Sequence, residues 1–101
     1  MAVYIREYAD MAVAYGKAMP VGSEPSALAA DQKLTNSGTS APSAAFNANT
    51  NLVCVHTDAI ISIVFGVTVP TATTGHLRMA ADTTMFFGVR PGTYLAVITN
   101  T

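Results

Sequence analysis

Hydrophobic and polar positions alternate over residues 2–7, with Val3 and Ile5 to one side and Tyr4, Arg6 and then Tyr8 to the other. That is the period of a half-buried strand. Residues 10–19 carry two signals at once: Met11, Val13 and Tyr15 alternate, while the alanines between them suit a helix equally well. The preferred reading is a strand up to Gly16. From residue 19 to residue 51 the composition turns to Pro, Gly, Ser, Thr, Asn and Ala, with Pro20, Pro25 and Pro42 spread through it, so regular structure there is expected to be short and broken. Within it, Ser23-Glu24-Pro25 has the form of a cap and an N-terminal proline, predicting one or two helical turns over residues 26–32, and residues 32–35 predict a brief strand.

The second half is plainer, because β-branched and aromatic residues gather in short runs separated by turn formers. Residues 52–57 and 60–65 predict two strands joined through Asp58-Ala59 as a hairpin. The second of these has Ile61, Ile63 and Phe65 on one face and Ile60 and Val64 flanking Ser62 on the other, which predicts a central strand or one covered by a neighbouring subunit. Residues 66–75 read as an extended loop, and residues 76–80 and 84–89 as two further strands. Arg90-Pro91-Gly92-Thr93 fits a type II turn leading into a last strand over residues 94–99. Six or seven short strands and no long helix predict an all-β, single-domain antiparallel β-sandwich of jelly-roll or immunoglobulin-like plan, with a long irregular segment in its first half.

With 101 residues the chain is long enough for one domain, residues 1–101, and too short for two. Only 11% of its residues are charged, against about 25% in an ordinary globular domain. A surface so poor in charge predicts partial cover by another chain. The net charge is -1, and Arg6, Lys17, Lys33, Arg78 and Arg90 are scattered, so no basic patch predicts nucleic-acid binding. The most apolar segment, residues 59–69, is interrupted by Ser62, Gly66 and Thr68 and falls short of a membrane span. Arg6, Glu7 and Asp10 stand where a secretory signal would be apolar, which predicts synthesis and retention in a cytoplasm. A single cysteine, Cys54, excludes an internal disulfide.

Candidate chemistry is sparse. Cys54 and His56 share one strand face, but a metal site would need His76, Asp58 or Asp82 to converge on them, and the spacing matches none of the paired zinc patterns. A packed thiol beside a partly exposed imidazole is the simpler reading. Nothing near Cys54 suggests an activated nucleophile, and Glu7 with Asp10 reads as solvated carboxylates at a strand end rather than an acid and base pair. Gly88 and Gly92 precede strand-like residues, not the helix a phosphate loop requires. The sequence therefore predicts no catalytic residue, no cofactor and no metal. Tyr4, Tyr8 and Tyr15 have the spacing of either an aromatic sugar platform or a strand packed on a sheet. Arg78 and Arg90 suit an interface as well as an ordinary surface.

The series Asn51-Leu52-Val53-Cys54-Val55-His56-Thr57-Asp58, Val64-Phe65-Gly66, Pro70-Thr71-Ala72-Thr73, Arg78-Met79-Ala80-Ala81, Phe87-Gly88-Val89, Pro91-Gly92 and Leu95-Ala96-Val97-Ile98 resembles small proteins encoded among the head genes of tailed bacteriophages and prophages. The likeness covers the chain from about residue 51 onward, with a looser one at residues 4–8. It implies a virion structural protein of the capsid cement or decoration type, made in a bacterial cytoplasm and placed on the outer capsid surface. The implied partners are the major capsid protein and two further copies in a homotrimer, with no nucleic acid and no membrane. On that basis Tyr4, Arg6, Tyr8, Arg78 and Arg90 are candidate interface residues, and residues 1–10 and 19–51 are candidate partner-contacting segments. Deleting residues 1–10 is then expected to abolish shell binding while the strand core stays folded. The competing expectation is a head-fibre or receptor- or glycan-binding β module.

Overall fold

The alternating segments become strands wherever they turn one apolar face toward a second sheet, as the two-residue period requires. The computed structural model describes residues 1–24 and 31–101. In chain order the strands are β1 (Ala2–Tyr8), β2 (Met11–Ala14), β3 (Lys17–Gly22), β4 (Gln32–Thr35), β5 (Ala41–Pro42), β6 (Leu52–Thr57), β7 (Ile61–Gly66), β8 (Leu77–Met79), β9 (Thr83–Gly88) and β10 (Tyr94–Thr99). There is no helix among the described residues. The helical turns expected over residues 26–32 fall mostly on residues 25–30, outside the described residues, and Gln32 belongs to β4.

Two four-stranded sheets, ordered β4-β1-β6-β9 and β5-β10-β7-β8, face each other as a β-sandwich, and β2-β3 form a separate ribbon. All pairings are antiparallel. From β4 onward the chain changes sheet at every connection except β7 to β8. That zigzag is a jelly roll, not an immunoglobulin plan, whose consecutive first strands share a sheet. Traced from β4 to β10 and then β1, the roll is continuous, so its last strand stands at the start of the chain. The chain ends accordingly meet. Ala2 exchanges hydrogen bonds with Asp58 (N to Oδ1, 2.8 Å; O from N, 3.1 Å), and the Asn100 amide donates to Ile60 O at 2.9 Å.

Val3, Ile5, Val53 and Val55 of one sheet pack against Ile61, Ile63, Met79, Leu95 and Val97 of the other, and Phe46 from the loop after β5 closes the core. Fully burying a side chain of this size contributes about 1.5–3 kcal/mol.

Residues 52–57 and 60–65 are not a hairpin: β6 and β7 lie in different sheets. Each has an apolar face, and facing across the core buries both, with Thr57 Oγ1 donating to Ala59 O (2.6 Å) to turn the chain between the layers. β7 is central as predicted, but its outer face is covered by its own chain rather than by a neighbour. The loop over residues 67–76 folds back so that Ala72 is buried, its amide donating to Ser40 Oγ (2.8 Å), while Asn100 Nδ2 donates to buried Ser62 Oγ (2.7 Å). Gly66 allows this return, since a Cβ there would meet Thr68 O at 2.9 Å.

The two candidate partner-contacting segments, residues 1–10 and 19–51, are also built into the sandwich. β1 is an interior strand, flanked by β4 and β6. Residues 19–51 contain β4, β5 and part of β3 and bury Asn36, Ser43, Phe46 and Thr50; Ser43 and Phe46 donate backbone hydrogen bonds to Leu95 and Thr93. Lys17–Gly22, whose last four residues fall in the stretch expected to be short and broken, returns along β2 through a tight turn with positive φ at Tyr15 (54°) and Gly16 (73°). Glu7, read as a solvated carboxylate, is only 3% exposed. It pairs in register with Val53 on the inner face, at the end of the sandwich where residues 43–51 stand in for the second sheet. The turn at residues 90–93 is as expected, with Gly92 at φ +74°.

Candidate interaction surface

On the face of the first sheet that points away from the second, register sets the neighbours. Tyr4 lies between Lys33 and His56, Arg6 beside Cys54, Cys54 beside Phe86, and His56 beside Thr84. Tyr4, Arg6, Asp31, Cys54 and His56 line an open cup of about 180 Å³. The half-exposed Tyr4 ring has Lys33 Nζ 5.6 Å from its centroid and the His56 ring at 6.2 Å. A cation over an aromatic face of this kind is worth about 0.5–1 kcal/mol at an exposed site.

Arg6 is the organiser of the cup. Its Nε and Nη2 donate to Asp31 (3.0 and 2.8 Å), its Nη1 donates to Glu24 (3.1 Å), and Glu24 also accepts from the Tyr8 hydroxyl (3.0 Å). The hydrogen bonds and charge of Asp31 push the Arg6 guanidinium further up from an already high pKa, and Arg6 in turn holds the Asp31 carboxyl below its usual range. Burial raises the Tyr8 hydroxyl, with Glu24 adding to the effect. Burial also pushes up the Cys54 thiol, against the opposing pull of Arg6. The thiol therefore stays protonated at neutral pH, the reverse of what a nucleophile needs.

A depressed Asp31 pKa has a definite sign in stability. The contribution is complete above the unfolded value of about 3.9 and disappears as pH falls through the lower folded value. Both partners are about half exposed, so screening keeps the effect small. In thermal unfolding, Asp31→Asn is expected to lower Tm slightly at pH 6 and not at all at about pH 2. An equal deficit at both values would show that the carboxylate charge is irrelevant.

The five predicted interface residues do not form one patch. Tyr4 and Arg6 share the cup. Tyr8 is covered by its own chain, with its ring against the Gly22 backbone and 6.1 Å from the Phe86 ring, so only its hydroxyl reaches the cup. Arg78 lies on the other sheet, where its Nε donates to Thr101 O (3.3 Å), and Arg90 projects from the β9–β10 turn beside a shallow cleft with Phe65 and Val89. His76 belongs to the loop over the second sheet, where its Nδ1 accepts from the Thr73 amide (3.0 Å), across the sandwich from Cys54 and His56. Among the described residues no three His, Cys, Asp or Glu side chains converge as metal ligands.

The surface that sequence reasoning missed is the β2–β3 ribbon. Its foot is held by Ser23 N donating to Asp10 O (3.0 Å) and by the Tyr8 ring under Gly22. Beyond the foot, Met11, Val13, Tyr15 and Met19 are exposed, Val13 at 70% and Tyr15 completely. Between the ribbon and the end of β6 and β9 runs a groove of about 800 Å³ lined by Met11, Val13, Ala18, Leu52 and Phe86. The alternation of Met11, Val13 and Tyr15 was the legible signal, but a strand pattern does not say which face has nothing to cover it. The chain matches no protein-family model, no curated protein and no solved structure.

Proposed function

We propose that this chain is a virion structural protein of the capsid cement or decoration type, which docks on the outer surface of a head shell and bridges neighbouring capsomers. The observation that carries the reading is the β2–β3 ribbon: four large apolar side chains held in water on a well-anchored arm. Exposed apolar surface concentrated in one place marks an association site. The rest of the molecule suits a scaffold for that arm, since the loop over residues 67–76 folds back over the outer face of β7 and the chain has few charges to repel a neighbour. Many copies, each with a modest contact, reinforce a shell by multivalency. In this reading the contact is carried by the ribbon, because residues 1–10 contain β1, an interior strand of the first sheet.

The test is co-sedimentation of the purified chain with shells assembled from the parent phage's major capsid protein. The double variant Val13→Asp, Tyr15→Asp is expected to lose binding by about tenfold or more with an unchanged thermal transition, because both side chains are already solvated. Undiminished binding would remove the ribbon from the contact. The cup at Tyr4 favours a second reading, a glycan-binding module of a phage particle, because an exposed ring beside Asp31, Arg6 and His56 offers stacking and hydrogen bonds to a sugar. Glycan binding by the isolated chain, lost in Tyr4→Ala, would favour that alternative.

A further inference from the structure

Three of the four outer edges of the large sheets carry a feature that discourages strand addition. β4 carries Lys33 and follows directly on Asp31, β8 has Arg78 at its centre, and β5 is two residues long and ends in Pro42. β9 follows directly on Asp82, as β4 does on Asp31, but has no charged residue or proline within the strand and is not cut short. Its sequence is Thr-Thr-Met-Phe-Phe-Gly, and it pairs with β6 in unbroken register while, among the described residues, no strand pairs with its other side. Met85 turns toward the inner face with Val55, yet it is 37% exposed, because the second sheet does not cover it there. On the outer face Phe86 borders the groove under the ribbon, next to Met11 and Val13. Among the described residues, an unpaired row of backbone donors and acceptors, an exposed Met85 on one face and a partly buried Phe86 on the other thus coincide at one edge.

We propose that β9 is a self-association edge: a second copy of this chain adds its own β9 antiparallel about a twofold axis, joining two β4-β1-β6-β9 sheets into one of eight strands. Self-pairing is favoured over an unrelated partner by the chemistry of the edge. A heterologous contact relies on complementary charge to choose its partner and fix its register, and β9 offers neither sign. Apposed to itself, the segment sets Thr, Met and Phe against one another, cross-strand neighbours that stabilise a ladder, and no like charges meet. Twofold closure also uses the same surface twice, so Met85 and the Phe86 side of the groove are buried in both copies and only the charged or short edges at β4, β5 and β8 remain open. A strand pair alone is smaller than an ordinary interface of about 800 Å² per partner, and the adjoining Met11 supplies further apolar area. The proposal does not depend on shell binding, and the threefold arrangement implied by the sequence resemblance would need a different contact.

The experiment is light scattering of the full-length chain over a concentration series, beside Met85→Lys and, as a control on a charged edge, Arg78→Ala. A two-chain mass is expected for the parent and for Arg78→Ala, with dissociation about tenfold or more easier in Met85→Lys. Amide exchange gives a reading that needs no variant: protection of residues 83–88 should rise with protein concentration while that of residues 32–35 does not. A monomer at every concentration, a three-chain mass, a dimer indifferent to Met85→Lys with no concentration-dependent protection of β9, or protection that appears only when shell protein is added would each overturn the proposal.

Discussion

A chain lacking residues 1–10 is expected to show no cooperative thermal transition. β1 is the second strand of its sheet, hydrogen-bonded to β4 on one side and along its length to β6 on the other. Its removal exposes Val53 and Val55 on the core face and takes away Val3, Ile5 and Tyr8, all nearly or fully buried. Three such side chains represent roughly 5 to 9 kcal/mol by area, comparable with the whole stability of a domain this size, about 5–15 kcal/mol. The same residues supplied after Thr101 through a short glycine-serine linker should restore the transition, because Ala2 and Asn100 are both tied to residues 58–60. Truncated protein that still melts cooperatively would mean that β1 is an accessory strand, and the partner-contact role first expected for residues 1–10 would return.

That reversal shows where the sequence was informative. Alternation located β1, and short runs of β-branched and aromatic residues between turn formers located β6, β7, β9 and β10, each to within a residue or two. Neither signal could assign strands to sheets. The Asp58-Ala59 connection is short enough for a hairpin, and only the need of two apolar faces to meet across the core sends β7 into the opposite sheet. The ribbon was half legible: Met11, Val13 and Tyr15 alternate, but Lys17–Gly22 contains Pro20, and Tyr15-Gly16 is not among the commonest pairs for a tight hairpin turn. At the cup, Tyr4 and Arg6 were found from their shared face. Asp31 and Glu24 were not, since they sit 25 and 18 residues away from Arg6 and reach it only through the fold.

Glu7→Ala is expected to be the most damaging single substitution outside the apolar core. The Glu7 carboxylate accepts from the Asn47 amide (2.7 Å) and the Thr50 hydroxyl (2.8 Å) through Oε1, and from Gln32 Nε2 (3.4 Å) through Oε2. Gln32 in turn accepts the Ala44 amide (2.9 Å), so one buried side chain on β1 fastens both ends of the segment that seats Phe46 in the core. Alanine leaves at least two enclosed donors without this acceptor, at about 1–3 kcal/mol each, and a void beside them. A loss of about 3 kcal/mol follows, or on the order of 15 °C in Tm for a domain of this length. Glu7→Gln should cost about 1 kcal/mol, because its carbonyl can still accept from Asn47 and Thr50 and only the contact with Gln32 must rearrange. Amide exchange localises the effect: the amides of Asn47, Thr50 and Asn51 should lose protection in Glu7→Ala well before those of β10. A loss below about 1 kcal/mol in Glu7→Ala, or uniform deprotection, would show that Phe46 and the backbone bonds to β10 hold this segment without the carboxylate.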